Sequence, residues 1–476
     1  MWKPIARTLV LAVCALAIAR PAIAAPLRTS ATAKGLFVGA AVNMTPFRNE
    51  QIYSDTLRRE YNLLVAENAF KFDALHTART TYNFTDADAL VSFAQANGMA
   101  VRGHTLVWHN QLPAWLTSGN FTRDDVIAIL RDHITTVVGR YRGKILAWDV
   151  VNEAIDDATG QPRTNSFWAQ KIGPDYIAMA FQFAHDADPN AVLYYNDFEA
   201  EGSGTKSDGV FNLVRGLVNQ GVPIGGVGWQ MHKINPFRIS SANHTNAQRL
   251  AGLGLEISIT EMDVRIQLPS DAQELQQQAL AYNDVVTFCL AEPNCAAVVT
   301  WGFTDKFSWV PGTFSGFGDA LVFDANYQPK PAYTAMQSVL EGGTTPPPPP
   351  PPPGDVTITS RIAASGPWFN EQQIQISNTS TITALTVTVT IQRTGNIAFS
   401  GQYNTVGGQI TQSHTQTSTA VTYQFVLTAG QTLGAANGRI FAAQTSGTGT
   451  VHPTAGDTYT VTYTTGGQNF TKSGGF

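Results

Sequence analysis

Eight apolar, β-prone runs recur between residues 35 and 305, and amphipathic helical stretches separate them. The runs are GLFVGAAVN (35–43), LLVAENA (63–69), MAVRGHTLVWH (99–109), ILAWDVVNEAI (145–155), AVLYYNDFEA (191–200), IGGVGWQMH (224–232), LEISITEMDV (255–264) and CAAVVTWGFTD (295–305). Between them, stretches such as DDVIAILRDHITTVVGRY carry apolar residues at helical spacing. Nearly continuous apolar strands that alternate with helices are typical of a parallel sheet covered by helices.

The number of strand–helix units decides between two parallel folds. Eight units fit an α/β fold of the (β/α)8 TIM-barrel type, which we predict for residues 25–342. The alternative is a doubly wound open sheet, but no glycine-rich phosphate loop follows the first run. We therefore favour the barrel.

The pattern changes after a proline-rich segment, residues 343–354, which contains eight consecutive prolines and predicts a polyproline II spacer. Beyond it, LTVTVTIQ (385–392), TYQFVL (422–427) and TYTVTYTT (458–465) alternate between apolar and polar residues. Such alternation is typical of antiparallel strands with one buried and one solvated face. We predict an all-β sandwich over residues 355–476, with roughly seven to nine strands.

Residues 1–24 have the three parts of a secretory signal peptide. MWKPIAR is positively charged, TLVLAVCALAIA is apolar, and Ala22-Ile23-Ala24 is a cleavage site of the A-x-A type. The apolar run is too short to span a membrane, and Arg20 interrupts the segment. We expect cleavage after Ala24 and a secreted, extracellular protein without membrane attachment.

The net charge and the cysteine content indicate which partners the protein can bind and whether its cysteines are paired. The formal net charge is −5 and no basic block occurs, so nucleic acid and anionic membranes are not expected partners. Nothing requires an oligomer, and we expect a monomer. Signal cleavage removes Cys14 and leaves Cys289 and Cys295. An exported context favours a disulfide between them over two free buried thiols.

Polar and aromatic residues stand where six of the eight predicted strands end, and in a TIM barrel the active site lies at those carboxyl ends. They are Glu67, Asn68, Lys71, His104, Trp108, Asn152, Glu153, Gln230, His232, Glu261, Asp263, Trp301 and Trp309. Any one of these tryptophans or histidines would more often be structural. The distribution of the whole set over six strands favours a functional site.

The residue types in this set indicate carboxylate chemistry. Glycosidic bond cleavage needs one carboxylic acid to protonate the leaving oxygen and one carboxylate to attack or to activate water. Tryptophan faces suit pyranose rings, and Lys71, Asn152 and Gln230 suit sugar hydroxyls. His104 and His109 would face opposite sides of a strand, and neither an H-E-x-x-H helix, a cysteine cluster nor a G-x-S-x-G motif occurs. We therefore expect no metal and no cofactor.

With these residues in place, residues 35–342 resemble glycoside hydrolase family 10, the endo-β-1,4-xylanase family. The motifs ENAFKFDAL, GHTLVWH, WDVVNEAI, GVGWQMH, ISITEMDV and WGFTDKFSW match its strand-end motifs in order and spacing. The spacing of Cys289 and Cys295 also resembles a disulfide of many members. One departure is Phe70-Lys71-Phe72, where the family usually has Met-Lys-Trp, which puts in doubt a hydrogen bond from an indole at position 72.

The resemblance implies a role for each site residue. Glu153 would be the general acid/base and Glu261 the nucleophile of a double displacement that retains anomeric configuration. His232 would bond to Glu261, and Asp263 would orient His232. The resemblance further implies that the xylan substrate is bound by Glu67, Asn68, Lys71, His104, Trp108, Trp301 and Trp309. We also expect Asn152, Gln230 and His232 among the substrate-binding residues.

Two alternatives remain open for the barrel and two for the tail. The barrel could be an endo-β-1,4-glucanase or mixed-specificity β-glycanase, or a non-catalytic sugar-binding barrel. The tail could be a carbohydrate-binding module or a domain for spacing, surface attachment or partner docking. Its candidate sugar-contacting aromatics are Trp368, Phe369 and Tyr403, whereas Tyr459 and Tyr463 fall on the apolar face of their strand and are expected in the core.

Overall fold

The computed structural model describes residues 25–343, 356–394, 396–465 and 468–476. The predicted signal peptide and nearly all of the predicted proline-rich spacer lie outside these residues. The chain divides into two compact units, a barrel and a C-terminal pair of sheets, and each is described by itself.

The first unit is a closed barrel of parallel strands. Its strands are β1 (Phe37–Val42), β2 (Leu63–Ala66), β3 (Ala100–Val107), β4 (Ala147–Asn152), β5 (Val192–Asp197), β6 (Gly226–Trp229), β7 (His232–Ile234), β8 (Glu256–Gln267), β9 (Cys295–Thr300) and β10 (Phe317–Gly318). Strands β1 to β6, β8 and β9 pair in parallel in this order, and β9 pairs with β1 to close the ring. β7 and β10 pair with the carboxyl-terminal half of β8. The predicted TIM barrel is confirmed.

Helices alternate with the strands as the sequence predicts. They are α1 (Leu27–Ala33), α2 (Met44–Asn49), α3 (Gln51–Glu60), α4 (Phe72–Leu75), α5 (Thr85–Ala96), α6 (Ala114–Thr117), α7 (Arg123–Arg140), α8 (Phe167–Lys171), α9 (Tyr176–Ala187), α10 (Thr205–Asn219), α11 (Ser241–Ala251), α12 (Ala272–Ala291), α13 (Val310–Thr313) and α14 (Pro331–Leu340). A short 3₁₀ turn spans Asp305–Phe307. Within the described residues, no helix is long and apolar enough to cross a membrane.

Helix α7 illustrates how local sequence specifies these elements. The Thr122 hydroxyl accepts a hydrogen bond from the Asp125 amide, and the Asp125 carboxylate accepts one from the Thr122 amide, so a capping box satisfies the first turn. Val126, Ile129, Leu130, Ile134 and Val137 recur at three- and four-residue spacing and form the buried face of the helix. The cap begins the helix, and the apolar face packs it into the core of the barrel unit.

The C-terminal unit consists of two antiparallel sheets. The four-stranded sheet has the order β11 (Val356–Ser365), β12 (Phe369–Asn378), β17 (Ala436–Ser446) and β14 (Ala398–Asn404). The five-stranded sheet has the order β15 (Ile410–Gln416), β16 (Ala420–Leu427), β13 (Ile382–Gln392), β18 (Thr458–Thr465) and β19 (Gln468–Gly475).

One apolar core joins the two sheets into the predicted β-sandwich. Phe425 of the five-stranded sheet contacts Phe441 of the four-stranded sheet, with ring centroids 5.6 Å apart. In β13, Val387 and Val389 are fully buried, whereas the threonines that alternate with them are partly exposed. Tyr459 and Tyr463 lie in this core, as their positions in the alternating pattern predict.

Candidate active site

A cleft with a volume of about 550 Å³ lies at the carboxyl ends of the barrel strands. Twelve of the thirteen predicted strand-end residues line it: Glu67, Asn68, Lys71, His104, Trp108, Asn152, Glu153, Gln230, His232, Glu261, Trp301 and Trp309. The thirteenth, Asp263, is fully buried and contacts His232 from behind. The barrel therefore brings side chains from six strands into one site.

Glu261 lies on β8 among hydrogen-bond donors and imidazoles. Its Oε1 accepts from Nδ2 of Asn196 at 2.7 Å, and its Oε2 lies 3.1 Å from Nε2 of His232. Nδ1 of His104 lies 3.9 Å from Oε1. Burial acts to raise the pKa of Glu261, but the imidazoles of His104 and His232 outweigh it, and the pKa is lowered from its ordinary value. Glu261 is therefore the carboxylate that stays ionised.

His232 connects Glu261 to a buried acidic residue. Its Nδ1 lies 2.8 Å from Oδ2 of Asp263, and the same oxygen accepts from Nε1 of Trp309 at 2.7 Å. Burial acts to lower the pKa of His232, but Asp263 and Glu261 together raise it to about 10. His232 is therefore a protonated imidazolium at neutral pH, with a carboxylate on each side.

Glu153 follows β4 and has a different environment. Its Oε2 accepts from Nε1 of Trp108 at 2.8 Å, and its Oε1 accepts from Nε2 of Gln230 at 2.9 Å. Nδ2 of Asn152 lies 3.3 Å from Oε1. Nε2 of His109 lies 3.9 Å from Oε2, beyond hydrogen-bond distance. The groups bonded directly to Glu153 are thus neutral donors, whereas Glu261 is bonded directly to the imidazole of His232 as well as to an amide.

The backbone at Glu153 adopts a left-handed conformation, with φ of 56°, which is uncommon for a residue with a side chain. The hydroxyl of Tyr195 accepts hydrogen bonds from the next two amides, those of Ala154 at 2.9 Å and Ile155 at 3.1 Å. The same hydroxyl donates to Asp197, a buried carboxyl that also pairs with Lys206. Burial raises the pKa of Asp197 to about 7, although Lys206 and Tyr195 oppose this. Strand β5 thereby supports the turn that presents Glu153.

Asn196 of β5 joins the two halves of the site. Its Nδ2 donates to Oε1 of Glu261 and, at 2.8 Å, to Oδ1 of Asn152. Its own Oδ1 accepts from the Thr260 hydroxyl at 2.7 Å, so the amide orientation is determined. A Cβ at Gly228 on the adjacent β6 would lie 2.1 Å from this oxygen. Glycine at position 228 therefore makes room for the amide of Asn196.

A buried lysine, Lys71, also lines the cleft. Nζ of Lys71 donates to Asn68 at 3.0 Å and to Gln111 at 2.8 Å, and it lies 5.0 Å from the ring centre of Trp108. Burial lowers the pKa of Lys71, although Glu261 and Glu67 oppose the shift. Burial also raises the pKa of Glu67, against a hydrogen bond from Asn43 and the charge of Lys71.

Phe72, the departure noted in the sequence, does not line the cleft. Its ring is buried and stacks on His133, with ring centroids 3.8 Å apart. Position 72 contributes packing beneath Lys71 in this chain, and no hydrogen bond can come from its side chain.

Five cleft residues were missed by the sequence reading: Gln111, Phe198, Glu199, Arg265 and Phe314. Phe198 and Glu199 directly follow β5, the strand from which the sequence reading selected no residue. Applying the strand-end rule to AVLYYNDFEA would have found them, together with Asn196. Phe314 lies in a loop beyond the last run, and Arg265 packs on its ring at 3.9 Å.

The two cysteines of the barrel unit are paired, and the metal-ligating residue types are not clustered in the described part of the chain. Cys289 and Cys295 form a disulfide, which confirms the predicted pairing. In the part of the chain that the structure describes, no group of three or more His, Cys, Asp or Glu side chains is arranged to hold a metal ion.

A TIM barrel that gathers two glutamates, several amides and tryptophan rings around one cleft is the architecture of a glycoside hydrolase. Residues 26–339 match the family model of glycosyl hydrolase family 10, and the chain belongs to this family. The family resemblance drawn from the strand-end motifs is thus confirmed.

Relatives and solved structures agree with this assignment. The chain is 44% identical over 319 residues to endo-1,4-beta-xylanase B of Thermotoga neapolitana, covering 66% of this chain and 92% of that protein. It is 42% identical to endo-1,4-beta-xylanase 1 of Humicola insolens, covering 68% of this chain and 76% of that protein. Xylanase 10B of Thermotoga petrophila RKU-1, solved in complex with xylobiose, is 45% identical with a TM-score of 0.65, covering 67% of this chain and 97% of that chain.

Proposed function

We propose that the protein is a secreted endo-1,4-β-xylanase that cleaves xylan with retention of anomeric configuration. Relatives named as endo-1,4-beta-xylanases support the substrate, and so does a solved relative in complex with xylobiose. The signal peptide predicted for residues 1–24 supports secretion.

The observation that carries the mechanism is the contrast between Glu261 and Glu153. Glu261 accepts hydrogen bonds from Asn196 and His232, and its pKa is lowered, as a nucleophile requires. Glu153 accepts hydrogen bonds from neutral indole and amide donors and lines the cleft, which places it to transfer a proton to and from a bound substrate. We assign Glu261 as the nucleophile and Glu153 as the general acid/base.

The reaction proceeds in two displacements. Glu261 attacks the anomeric carbon while Glu153 donates its proton to the glycosidic oxygen, so the sugar–oxygen bond breaks and an ester to Glu261 forms. Glu153, now a carboxylate, removes a proton from water, and the resulting hydroxide attacks the anomeric carbon and releases Glu261. Two inversions at one carbon give net retention.

The neighbouring groups support each step. His232 bears a positive charge beside Glu261 and stabilises the carboxylate when it leaves the sugar. Asn152 is bonded to Asn196 and adjoins Glu153, where its amide can reach a sugar hydroxyl next to the reacting carbon. The tryptophans 108, 301 and 309 supply ring faces along the cleft, and Lys71 supplies a charged donor.

Two substrates and two stereochemical outcomes test this proposal. Reducing-sugar release is measured from xylan and from carboxymethylcellulose, and proton NMR follows the anomer formed first. We expect activity on xylan with the β-anomer appearing first. Greater activity on the cellulose derivative would support the glucanase alternative, and an α-anomer would contradict the double displacement.

The raised pKa of Glu67 makes it the competing candidate for the acid, so the role of Glu153 needs its own test. An aryl xylobioside with a strongly acidic phenol needs no protonation of its leaving group. We expect Glu153→Ala to form the glycosyl-enzyme rapidly from this substrate while losing activity on xylan. Glu67→Gln and Glu199→Gln are the matched controls, and the same behaviour in Glu67→Gln would transfer the acid role to Glu67.

A further inference from the structure

The C-terminal sandwich presents one tryptophan to solvent. Trp368, the last tryptophan in the chain, is 71% exposed in the turn between β11 and β12. Its backbone is nevertheless fixed, because its carbonyl accepts from the Gly447 amide at 2.8 Å and the carbonyl of Pro367 accepts from the Gly449 amide at 2.8 Å. The turn is therefore attached to the segment that follows β17.

The two glycines in that segment allow this attachment. A Cβ at position 447 would lie 2.2 Å from the Pro367 carbonyl oxygen, and a Cβ at position 449 would lie 3.3 Å from the indole ring. The ring of Trp368 thus rests on backbone on one side and is open to solvent elsewhere. An aromatic ring that is supported in this way loses little conformational entropy when a ligand stacks on it.

The neighbouring outer face of the four-stranded sheet continues this surface. Phe369 and Tyr403 are 39% and 37% exposed, whereas Asn370 and Gln372, which alternate with the outward positions of β12, are buried. The register places Glu371 opposite Gln444 of β17. Aromatic and polar side chains therefore lie side by side across β12, β17 and β14.

The polar side chains of this face form one hydrogen-bonded group. Glu371 accepts from the Tyr403 hydroxyl at 2.9 Å, from Nε2 of Gln444 at 2.7 Å and from Nε2 of Gln373. Arg361 donates to Oε1 of Gln373 at 2.7 Å. These contacts fix the carboxylate of Glu371, the amide of Gln444 and the hydroxyl of Tyr403 on a surface that sugar hydroxyls could contact, whereas the amide of Gln373 is buried and holds Glu371 in place.

Charge indicates what kind of partner fits. Residues 355–476 contain four basic residues (Arg361, Arg393, Arg439 and Lys472) and three acidic ones (Asp355, Glu371 and Asp457), a formal net charge of +1. The hydrogen-bonded group contains one residue of each sign. Such a surface attracts neither a phosphate backbone nor an anionic membrane, and it complements an uncharged, hydroxyl-rich polymer.

We propose that this face, defined by Trp368, Phe369, Glu371, Tyr403 and Gln444, binds a neutral polysaccharide chain. Trp368 stacks on a sugar ring, and the polar group contacts hydroxyls of the adjoining sugars. The same chain belongs to a glycoside hydrolase family, so binding here raises the local concentration of substrate at the barrel.

Depletion isotherms with the full-length protein test this proposal. Every sample carries Glu261→Ala so that the polysaccharide is not degraded, and insoluble xylan and microcrystalline cellulose are compared. We expect Trp368→Ala to raise Kd about tenfold or more on the polysaccharide that the parent binds. Trp368→Tyr, which keeps a ring, should recover part of the loss, and Tyr403→Ala should weaken binding less.

Gln424→Ala is the matched control, because Gln424 is exposed on the five-stranded sheet, away from this face. It should bind like the parent. Equal binding by parent and Trp368→Ala, equal loss in Gln424→Ala, or no retention of the parent on either polysaccharide would overturn the proposal. Hydrolysis of soluble xylooligosaccharides, with Glu261 intact, should be the same with and without Trp368→Ala, which separates this result from a failure of the proposed activity.

Discussion

The barrel cleft and the outer face of the C-terminal sandwich present polar groups and aromatic rings in opposite ways. The cleft and the residues directly behind it contain charged groups with little exposure, among them the buried Lys71, Glu261 and Asp263 and the partly buried His232. The sandwich has seven charged residues in all, and its proposed binding face consists of aromatic rings, an amide and the single carboxylate of Glu371. Breaking a glycosidic bond requires charges that are fixed where charge develops. Holding a neutral polymer requires only stacking and hydrogen bonds.

Charge burial explains why the two regions need such different support. A buried charge is expensive unless it is paired and hydrogen-bonded. In the cleft, Glu261 is bonded to His232, His232 to Asp263, and Asp263 to Trp309. The aromatic rings of the sandwich face are exposed, so removing one of them leaves little buried and unpaired. Substitutions in the cleft should therefore have much larger effects than substitutions on that face.

The largest effect is expected from Glu261→Gln, which keeps the shape of the side chain and removes its charge. Loss of a catalytic nucleophile typically lowers kcat by about 10⁴-fold or more. Steady-state rates on xylan measure this, with binding to insoluble polysaccharide as the second readout. If kcat fell less than tenfold, Glu261 would not be the nucleophile. Substitutions in the cleft would then not have the larger effects expected of them.

Asn196→Ala should have the next largest effect. It removes a donor to Glu261 and another to Asn152 without touching either glutamate covalently. Removal of one such preorganised donor costs about 10²–10³ in kcat. Asn212→Ala, in the exposed part of α10, is the matched control. Equal rates for Asn196→Ala and the control would mean that the buried amide is structural.

Asn196 also shows how far sequence reasoning reaches. The eight runs and their strand ends predicted the barrel and the position of the cleft, because strand-end chemistry follows from chain order alone. The bond from Asn196 to Glu261 depends on the register between β5 and its neighbours and on the space left at Gly228. Such contacts between distant residues are not visible in a local pattern.

Position 72 and the C-terminal unit also show which features the sequence predicted and which only the structure reveals. The sequence showed that an indole was missing at Phe72, but only the packing on His133 shows that the ring faces the core. In the tail, period-two alternation predicted that Tyr459 and Tyr463 are buried. It could not predict the support of Trp368, which comes from glycines about 80 residues further along the chain.

Tyr195→Phe tests whether support from outside the cleft matters for Glu153. The variant leaves the amides of Ala154 and Ile155 without their acceptor, which should lower the free energy of unfolding by about 2 kcal/mol. Because the turn carries Glu153, we expect kcat to fall roughly tenfold while KM changes little. Tyr194→Phe, whose hydroxyl contacts Glu256 instead, is the control. A purely structural role would lower stability and leave kcat unchanged.

His232→Asn should change how stability depends on pH. The pKa of His232 rises from 6.5 to about 10 in the folded protein, so protonation stabilises the fold fully below about pH 6.5 and ceases to do so as the pH passes 10. The difference in free energy of unfolding between parent and variant should therefore narrow between these limits. Trp309→Phe removes a bond to Asp263 but no titrating group, and its effect should be nearly independent of pH.

The smallest effect on activity is expected from removing the disulfide, which the barrel has and the sandwich lacks. Cys289 and Cys295 cross-link the barrel across six positions, whereas residues 355–476 contain no cysteine. Closing so short a loop stabilises the fold by about 2 kcal/mol on the chain-entropy account. The Cys289→Ala, Cys295→Ala double variant should lower the melting temperature of the barrel and leave kcat on xylan unchanged, because neither cysteine lines the cleft. A fall in kcat at a temperature where the variant is folded would show that the cross-link also determines the position of β9 at the site. The disulfide would then contribute to catalysis, as the buried charges of the cleft do, and not to stability alone.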